Sequence, residues 1–457
     1  MRRARSVEHD RCSASAGRVL NYRQGGTMKS KLAVLLIAAL WLSGVVFTAT
    51  AEESFYEETF SLYGYVVNFF NANLYADDWR ITDSDYGNIL YGRLKGDWNP
   101  GDNLSFHVEL AYQGSVGNQN PLVLYNNYGL IPPALDLTDE GITFQEDMIQ
   151  TISVEHLWGS VNLGRFDVQF GKLPIAWGTG YFFNPTSKAA VIPYLDTVAE
   201  ETPGTIGIVP SVSFFEGFLS VQGYLAFQEK SHSKSILAAN GRWNNLPFGV
   251  KIQAIVGSFD LSAGWIKEVL CIEAATEEFS RSHYLSTDFA GAIWNFGVYG
   301  EAALKMWVES DAHLAFEDQQ LLELLDVCIG FDYFIPVLEI DTRVEYYHQG
   351  AGERDKNKYD FTKLMTGQQS VLGQDYLLIY LERSFLDYFN ISTIGFVNIN
   401  DGSLGLVPEL SGEPYENIQV GLGAMLFYGP EGSEFDGEYP GFDITEPSVY
   451  LRCKLSF

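Results

Sequence analysis

From Ile89 to Tyr112 the chain alternates apolar and polar residues with a period of two. Leu90, Leu94 and Trp98 interleave with Tyr91, Arg93, Lys95 and Asp97. After Asn-Pro-Gly-Asp-Asn (99–103), Leu104, Phe106, Val108 and Leu110 interleave with Ser105, His107, Glu109 and Ala111. Period two means a β-strand with two unlike faces, and Pro-Gly among short polar residues means a turn. The segment therefore predicts an antiparallel hairpin. The pattern recurs at Phe248 to Gly257, Val298 to Val308 and Val327 to Ile335. It is sharpest from Leu338 to Tyr347, where Leu338, Ile340, Thr342, Val344 and Tyr346 oppose Glu339, Asp341, Arg343, Glu345 and Tyr347. The chain ends in the same manner: Val449, Leu451, Cys453, Leu455 and Phe457 oppose Ser448, Tyr450, Arg452, Lys454 and Ser456. A soluble protein rarely stops mid-strand, because that strand is an edge inviting aggregation. In a closed barrel the last strand pairs with the first.

Connections between these segments alternate in length. Short ones fall at Asn99 to Asn103, near Gly164, at Glu216-Gly217, Ser258-Phe259, Asn295 to Gly297, Pro336-Val337 and Leu386 to Tyr388. Long ones cover Gln113 to Met148, Leu173 to Pro203, Gln228 to Pro247, Gln349 to Gly373 and Tyr428 to Glu446. Short turns at one end and long loops at the other are the topology of bacterial outer-membrane barrels. The expected fold is all-β: a transmembrane antiparallel up-and-down barrel of about 18 strands, periplasmic turns short and extracellular loops long. Alternation blurs at Ser282 to Phe296 and Asp375 to Asn398, which leaves about 16 strands open. The first strand, near Phe60 to Ala72, follows too soon after the exported N-terminus for a plug domain, which disfavours a TonB-dependent transporter.

The amino-terminal end agrees with export. Lys29 and Lys31 flank an apolar stretch from Leu32 to Val46, and Ala49-Thr50-Ala51 is a small-residue cleavage site. Residues 28–51 are thus expected to be a signal peptide, with Glu52 as the mature start and 52–457 as the barrel. Residues 1–27 carry no structural pattern and are expected to be a mis-annotated leader, with Met28 as the true start. Eight of the 29 basic and two of the 58 acidic residues lie in 1–51, so the exported chain carries 21 basic and 56 acidic residues. That excess argues against nucleic acid as a partner, since phosphates would be repelled.

On the clear strands the inward face is expected to carry Arg93, Lys95, Lys251, Lys305, Arg343, Arg452 and Lys454, with Asp97, Glu109, Glu301, Asp332, Glu339, Asp341 and Glu345. The signs balance. Such charges are tolerable against a water-filled lumen and costly against lipid, so as a set they point to an aqueous channel. Singly, each is better read as part of a wall ion pair that braces the barrel. The acidic excess then falls in loops, at Asp77-Asp78, Asp139-Glu140, Glu200-Glu201, Glu277-Glu278 and Glu431 to Asp443, where it would enrich cations at the mouth or merely hydrate the surface. Cys271, Cys328 and Cys453 lack the spacing of a disulfide or zinc framework, and Cys328 and Cys453 are expected on opposite sides of the wall. No phosphate-cradling glycine motif or nucleophile elbow stands out, so no cofactor is expected. His107 and Glu109 share the inward face, a spacing that fits lumen lining better than catalysis.

The long connection after Lys172 reads Leu-Pro-Ile-Ala-Trp-Gly-Thr-Gly-Tyr-Phe-Phe-Asn-Pro-Thr (173–186). Strand, Gly-Lys, Trp-Gly and Asn-Pro-Thr in that order resemble a pattern of outer-membrane proteins related to porins. Asp401-Gly402-Ser403, Pro408-Glu409-Leu410, Glu416-Asn417 and Gly432-Ser433-Glu434-Phe435 extend the resemblance. The carboxy-terminal strand, with Tyr450, Leu455 and Phe457, resembles the signal read by the barrel-assembly machinery. The resemblance implies a porin-like barrel in the outer membrane, in contact with its lipid and lipopolysaccharide and passing small hydrophilic solutes, with a homotrimer open as its assembly state. Phosphate-selective and alginate-exporting porins are distantly similar but have basic pores, which this chain lacks. In trimeric porins one long loop folds into the pore; by resemblance Trp177, Tyr181, Phe182, Phe183 and Asn184 are candidates for that constriction, with the interfacial aromatic girdle as the alternative. Two other classes stay open: a barrel enzyme acting on lipid or peptide, and a structural or adhesive barrel.

Overall fold

The computed structural model describes residues 60–74, 86–117, 143–145, 148–189, 202–227, 243–273, 278–310, 321–360, 363, 369–386, 388–436 and 447–457. The leader, the signal peptide and the acids at 77–78, 139–140, 200–201 and 277 lie outside them. The chain meanders. β1 (Phe60–Asn73), β2 (Tyr86–Gly101) and β3 (Leu104–Gly117) are followed by a three-residue ribbon, β4 (Thr143–Gln145), and by β5 (Met148–Leu163) and β6 (Phe166–Leu173). β7 (Thr205–Phe214), β8 (Leu219–Ala226), β9 (Phe248–Val256), β10 (Phe259–Glu273), β11 (Glu278–Ile293) and β12 (Phe296–Ser310) continue round the wall. It finishes with β13 (Leu325–Ile335), β14 (Ile340–His348), β15 (Asp375–Phe385), β16 (Phe389–Asn398), β17 (Leu404–Tyr415), β18 (Ile418–Tyr428) and β19 (Ser448–Ser456).

Each strand pairs antiparallel with its neighbour in sequence, β3 pairing directly with β5 while β4 only extends β5. β19 pairs with β1 from Tyr65↔Ser456 to Asn73↔Ser448, and the sheet closes. Setting β4 aside, the barrel has the 18 strands that the alternation predicts, the blurred stretches resolving into β11, β15 and β16. Closure satisfies every edge, which a strand in lipid requires because nothing there replaces a lost backbone partner.

The outward face is apolar. Leu94, Phe106, Val108 and Leu110 on the first hairpin are exposed, as are Ile252, Leu285, Ile329, Ile391, Leu422 and Leu451. At the short-turn end stand aromatics such as Trp98, Phe166, Phe218, Trp294 and Tyr415. An apolar band bordered by aromatic rings is the surface of a membrane-spanning barrel, the rings belonging at the headgroup level. The eight short turns, the start of β1 and the end of β19 lie at that end, the long connections at the other.

Two details depart from the sequence pattern. β14 begins at Ile340, so Glu339 sits in the turn at φ 54°, exposed and 3.4 Å from Arg383; it is a rim residue and not part of the inner wall. On β5 the register slips between Glu109↔His156 and Leu110↔Val154. The extra residue is Glu155, and Val154 and Leu157, three apart, both face outward. A bulge of this kind re-aims one side chain, here turning His156 to the inner face.

Candidate functional site

After β6 the chain crosses the inside of the barrel. Residues 173–177 run along the inner wall, where Leu173, Ile175 and Trp177 pack with Val209, Tyr224 and Ile266. The Trp177 indole meets Tyr224 edge-on, ring centroids 4.7 Å apart, and Lys251 Nζ lies 5.2 Å from it. A Cβ on Gly249 would stand 2.4 Å from Tyr224 and 2.7 Å from Trp177, so the wall leaves a bare backbone where the indole lies. Farther on, Phe183 stacks on Tyr347 with centroids 4.2 Å apart, within an inner cluster that includes Tyr376, Leu378, Phe396 and Phe435. The segment thus bridges from β8 and β9 to β14, β15 and β16. These rings are inside the wall, not in the girdle.

Two buried carboxylates hold it there. Glu301 on β12 accepts from Thr179 N at 3.1 Å, Gly180 N at 2.8 Å, Thr186 N at 2.9 Å and the Thr186 hydroxyl at 2.5 Å. Glu345 on β14 accepts from Tyr181 N and Phe183 N at 2.8 Å, from Phe182 N at 3.2 Å and from the Tyr299 hydroxyl at 3.0 Å. A run of successive amides converging on an acid is a backbone nest, and buried charge is tolerable only with such partners. The glycines of Trp-Gly-Thr-Gly now have a reason. Gly178 has φ +112°, and a Cβ on it would lie 2.5 Å from the Glu301 carboxylate. A Cβ on Gly180 would lie 1.9 Å from the Phe183 carbonyl. Asn184 closes the far side, its carbonyl accepting from Ser187 N at 2.9 Å. Lys188 leaves the segment to pair with Asp326 at 2.9 Å.

Other inward charges also have partners. Arg93 pairs with Glu109, and Lys95 lies 3.6 Å from the same carboxylate. Asp97 bonds His107 at 2.7 Å. Arg343 pairs with Asp332 and lies over Tyr181, its guanidinium carbon 3.6 Å from the ring centroid. Arg452 and Tyr450 both bond Glu409, at 2.8 and 2.9 Å. Lys305 faces Tyr284 at 5.6 Å and Lys454 faces Tyr65 at 4.5 Å. Asp341 is exposed near the start of β14. Leu455 and Phe457 face outward on the last strand, and Cys453 is exposed while Cys328 is buried. Within the segment Tyr181 stands apart: its ring is half exposed, edge-on to Phe182 and 6.2 Å from Tyr380.

At the long-loop end a second node ties three connections. Glu434 accepts from the Tyr376 hydroxyl at 2.5 Å, Asn398 Nδ2 at 2.8 Å and Leu372 N at 3.2 Å, while its own amide donates to Asp401 at 2.8 Å. Tyr359 donates to Asp401 at 3.1 Å. Burial pushes the Glu434 carboxyl up to about 7, neighbouring Asp401 adding to the rise against the hydrogen bonds it receives. Glu434 is therefore not one of the hydrated acids of the mouth, as its place in an acidic run implies; it is an internal fastener. The motif residues Asp401, Ser403 and Glu434 meet here, a convergence that their spacing alone does not reveal.

No protein-family profile matches the sequence, and no curated protein does. Solved structures of similar shape include a triple mutant of the Rhodopseudomonas blastica porin, at 9% identity and a TM-score of 0.40, covering 87% of this chain and all of that one. Wzi of Escherichia coli, described as a carbohydrate-binding β-barrel involved in group 1 capsule assembly, gives 12% identity and a TM-score of 0.46, covering 95% of this chain and 90% of that one. Likeness at this level carries neither solute nor partner across.

Proposed function

We propose that the protein is a passive outer-membrane channel for small hydrophilic solutes, with residues 174–189 as its fixed constriction. The supporting observation is the pair Glu301 and Glu345, which hold seven donors of that segment on the inside of a closed barrel. A barrel that only anchored loops or braced the membrane has no need of a strap across its interior. The half-exposed ring of Tyr181, beside the Asp332–Arg343 pair and Tyr380, offers an apolar face next to hydrogen-bonding groups. That combination suits sugar-like solutes. Loop acids enrich cations at the mouth within about a Debye length, roughly 8 Å at physiological salt, which gives a mild cation preference that fades as salt rises. Single-channel recording of refolded protein tests the reading: discrete conductance steps are expected. A silent barrel that hydrolyses lipid or peptide would replace it with an enzyme.

A further inference from the structure

Near the short-turn end, three donors converge on the inner wall. His107 and Glu109 are two apart on β3, and His156 is the cross-strand partner of Glu109 on β5. His156 Nδ1 lies 3.1 Å, and His107 Nε2 3.7 Å, from Glu109 Oε2, and the three ligand atoms all fall within 4.8 Å of one another. We propose that His107, Glu109 and His156 bind a divalent transition-metal ion of the zinc, nickel and copper class.

The surroundings favour that assignment. Each imidazole has its other nitrogen occupied: His107 Nδ1 by Asp97 at 2.7 Å, and His156 Nε2 by the carbonyl of Thr202 at 3.0 Å. A carbonyl only accepts, so His156 carries a proton on Nε2, and its Nδ1 faces the Glu109 carboxylate either as a donating N–H or, in the neutral ring, as a lone pair. In the neutral ring two lone pairs meet there, and a metal ion can take the place of the bridging proton. Outer partners of this kind, a carboxylate for one ring and a backbone carbonyl for the other, orient histidine ligands in metal sites. Two imidazoles and one carboxylate make a borderline donor set, suited to this class of ion and poorly suited to calcium or magnesium. Trp158 stacks on His107 with centroids 5.3 Å apart and fixes the ring plane. The bulge at Glu155 has a purpose in this scheme, since it brings His156 to the inner face. Arg93 occupies the other Glu109 oxygen, and Lys95 Nζ, 3.6 Å from Oε2, is the internal competitor that an ion must displace.

Equilibrium dialysis and optical titration of the refolded full-length barrel with Co2+ and Zn2+ test this. One ion per barrel is expected, with Co2+ giving visible ligand-field bands that Zn2+ abolishes. His107→Gln and His156→Gln should each remove the bands, and Asp97→Asn should weaken binding by about 10–100-fold through loss of the outer partner. Lys95→Met should strengthen binding, an outcome that a bracing role for the cluster does not give. Heat-modifiable migration on gels confirms folding of every variant. Absence of the bands in the folded wild-type barrel would mean that only a proton bridges the pair, and the proposal would fall. Binding that survives the double histidine variant would be surface adsorption and would overturn it equally.

Discussion

Gly64 and Phe457 exchange both backbone hydrogen bonds, each amide donating to the other's carbonyl at 2.9 Å. This pair is the last rung of the seam between β1 and β19 at the short-turn end. The Phe457 ring packs over the site where a Gly64 Cβ would stand, 3.0 Å away, and the carbonyl of Arg93 blocks the same point at 2.2 Å. Deleting Phe457 removes two bonds worth about 1 kcal/mol each and an aromatic anchor together. The variant is expected to reach the periplasm but to give much less heat-modifiable barrel. Gly64→Val should act in the same direction by forcing the strands apart. Gel migration of outer-membrane fractions measures both, and normal barrel levels would count against the seam.

The wall beneath the indole makes a separate prediction. Gly249→Ala introduces a methyl where Trp177 and Tyr224 already fill the space, so the indole must move or the strand must bend, at a cost of about 1–3 kcal/mol. A shift in tryptophan emission with lowered thermal stability is expected. An unchanged spectrum and melting point would mean that Trp177 does not rest on that strand.

The loop node supplies a pH dependence. Glu434 in the folded chain titrates at about 7, against an ordinary value of 4.5. A carboxyl raised in this way holds its proton more tightly when folded, so its contribution is fully present below about pH 4.5 and is lost as pH rises through 7. The swing is on the order of 3 kcal/mol at most. Hydrogen-exchange protection of residues 369–374 and 429–436, corrected for intrinsic rates, should therefore fall between pH 6 and 8, roughly the window around that value. Glu434→Gln should keep protection high across the range. Equal pH dependence in wild type and variant would assign the effect elsewhere.

Selectivity separates the remaining acids from this buried one. Neutralising the exposed Glu431 and the half-buried Asp436 together should reduce any cation preference at low salt, whereas Glu434→Gln should change it less, because a buried acid that is only partly ionised at neutral pH adds less field. Reversal potentials across a salt gradient read this directly. A clear anion preference would mean that Arg343 and its neighbours dominate the passage and that the loop acids do not.

Much of this was legible in the alternation of residues. Period two places Glu301 and Glu345 on the inner face with Lys305 and Arg343, and it pairs β19 with the start of the barrel. What alternation cannot carry is partnership across the lumen. Glu345 is 162 residues from Phe183, and only closure of the barrel brings them together. It also fails wherever the count slips by one. His156 faces inward because of a single bulged residue, and Glu339 leaves the wall because the turn is two residues longer than Pro336-Val337 implies. Glu434 sits in an acidic run that reads as a solvated face, and burial against Tyr376 and Asn398 from other strands changes its character.

The measurement that bears most directly on the central claim is single-channel conductance of the Glu301→Gln, Glu345→Gln double variant beside wild type. Neutral amides keep the shape but forfeit charge-assisted bonds worth about 1.5–3 kcal/mol each, so the strap should loosen. The wild-type barrel is expected to give small, quiet steps, and the double variant larger and noisier ones, with larger sugars admitted in liposome swelling. Identical conductance in two equally folded barrels would contradict the account, since the segment those carboxylates hold would then not limit the pore.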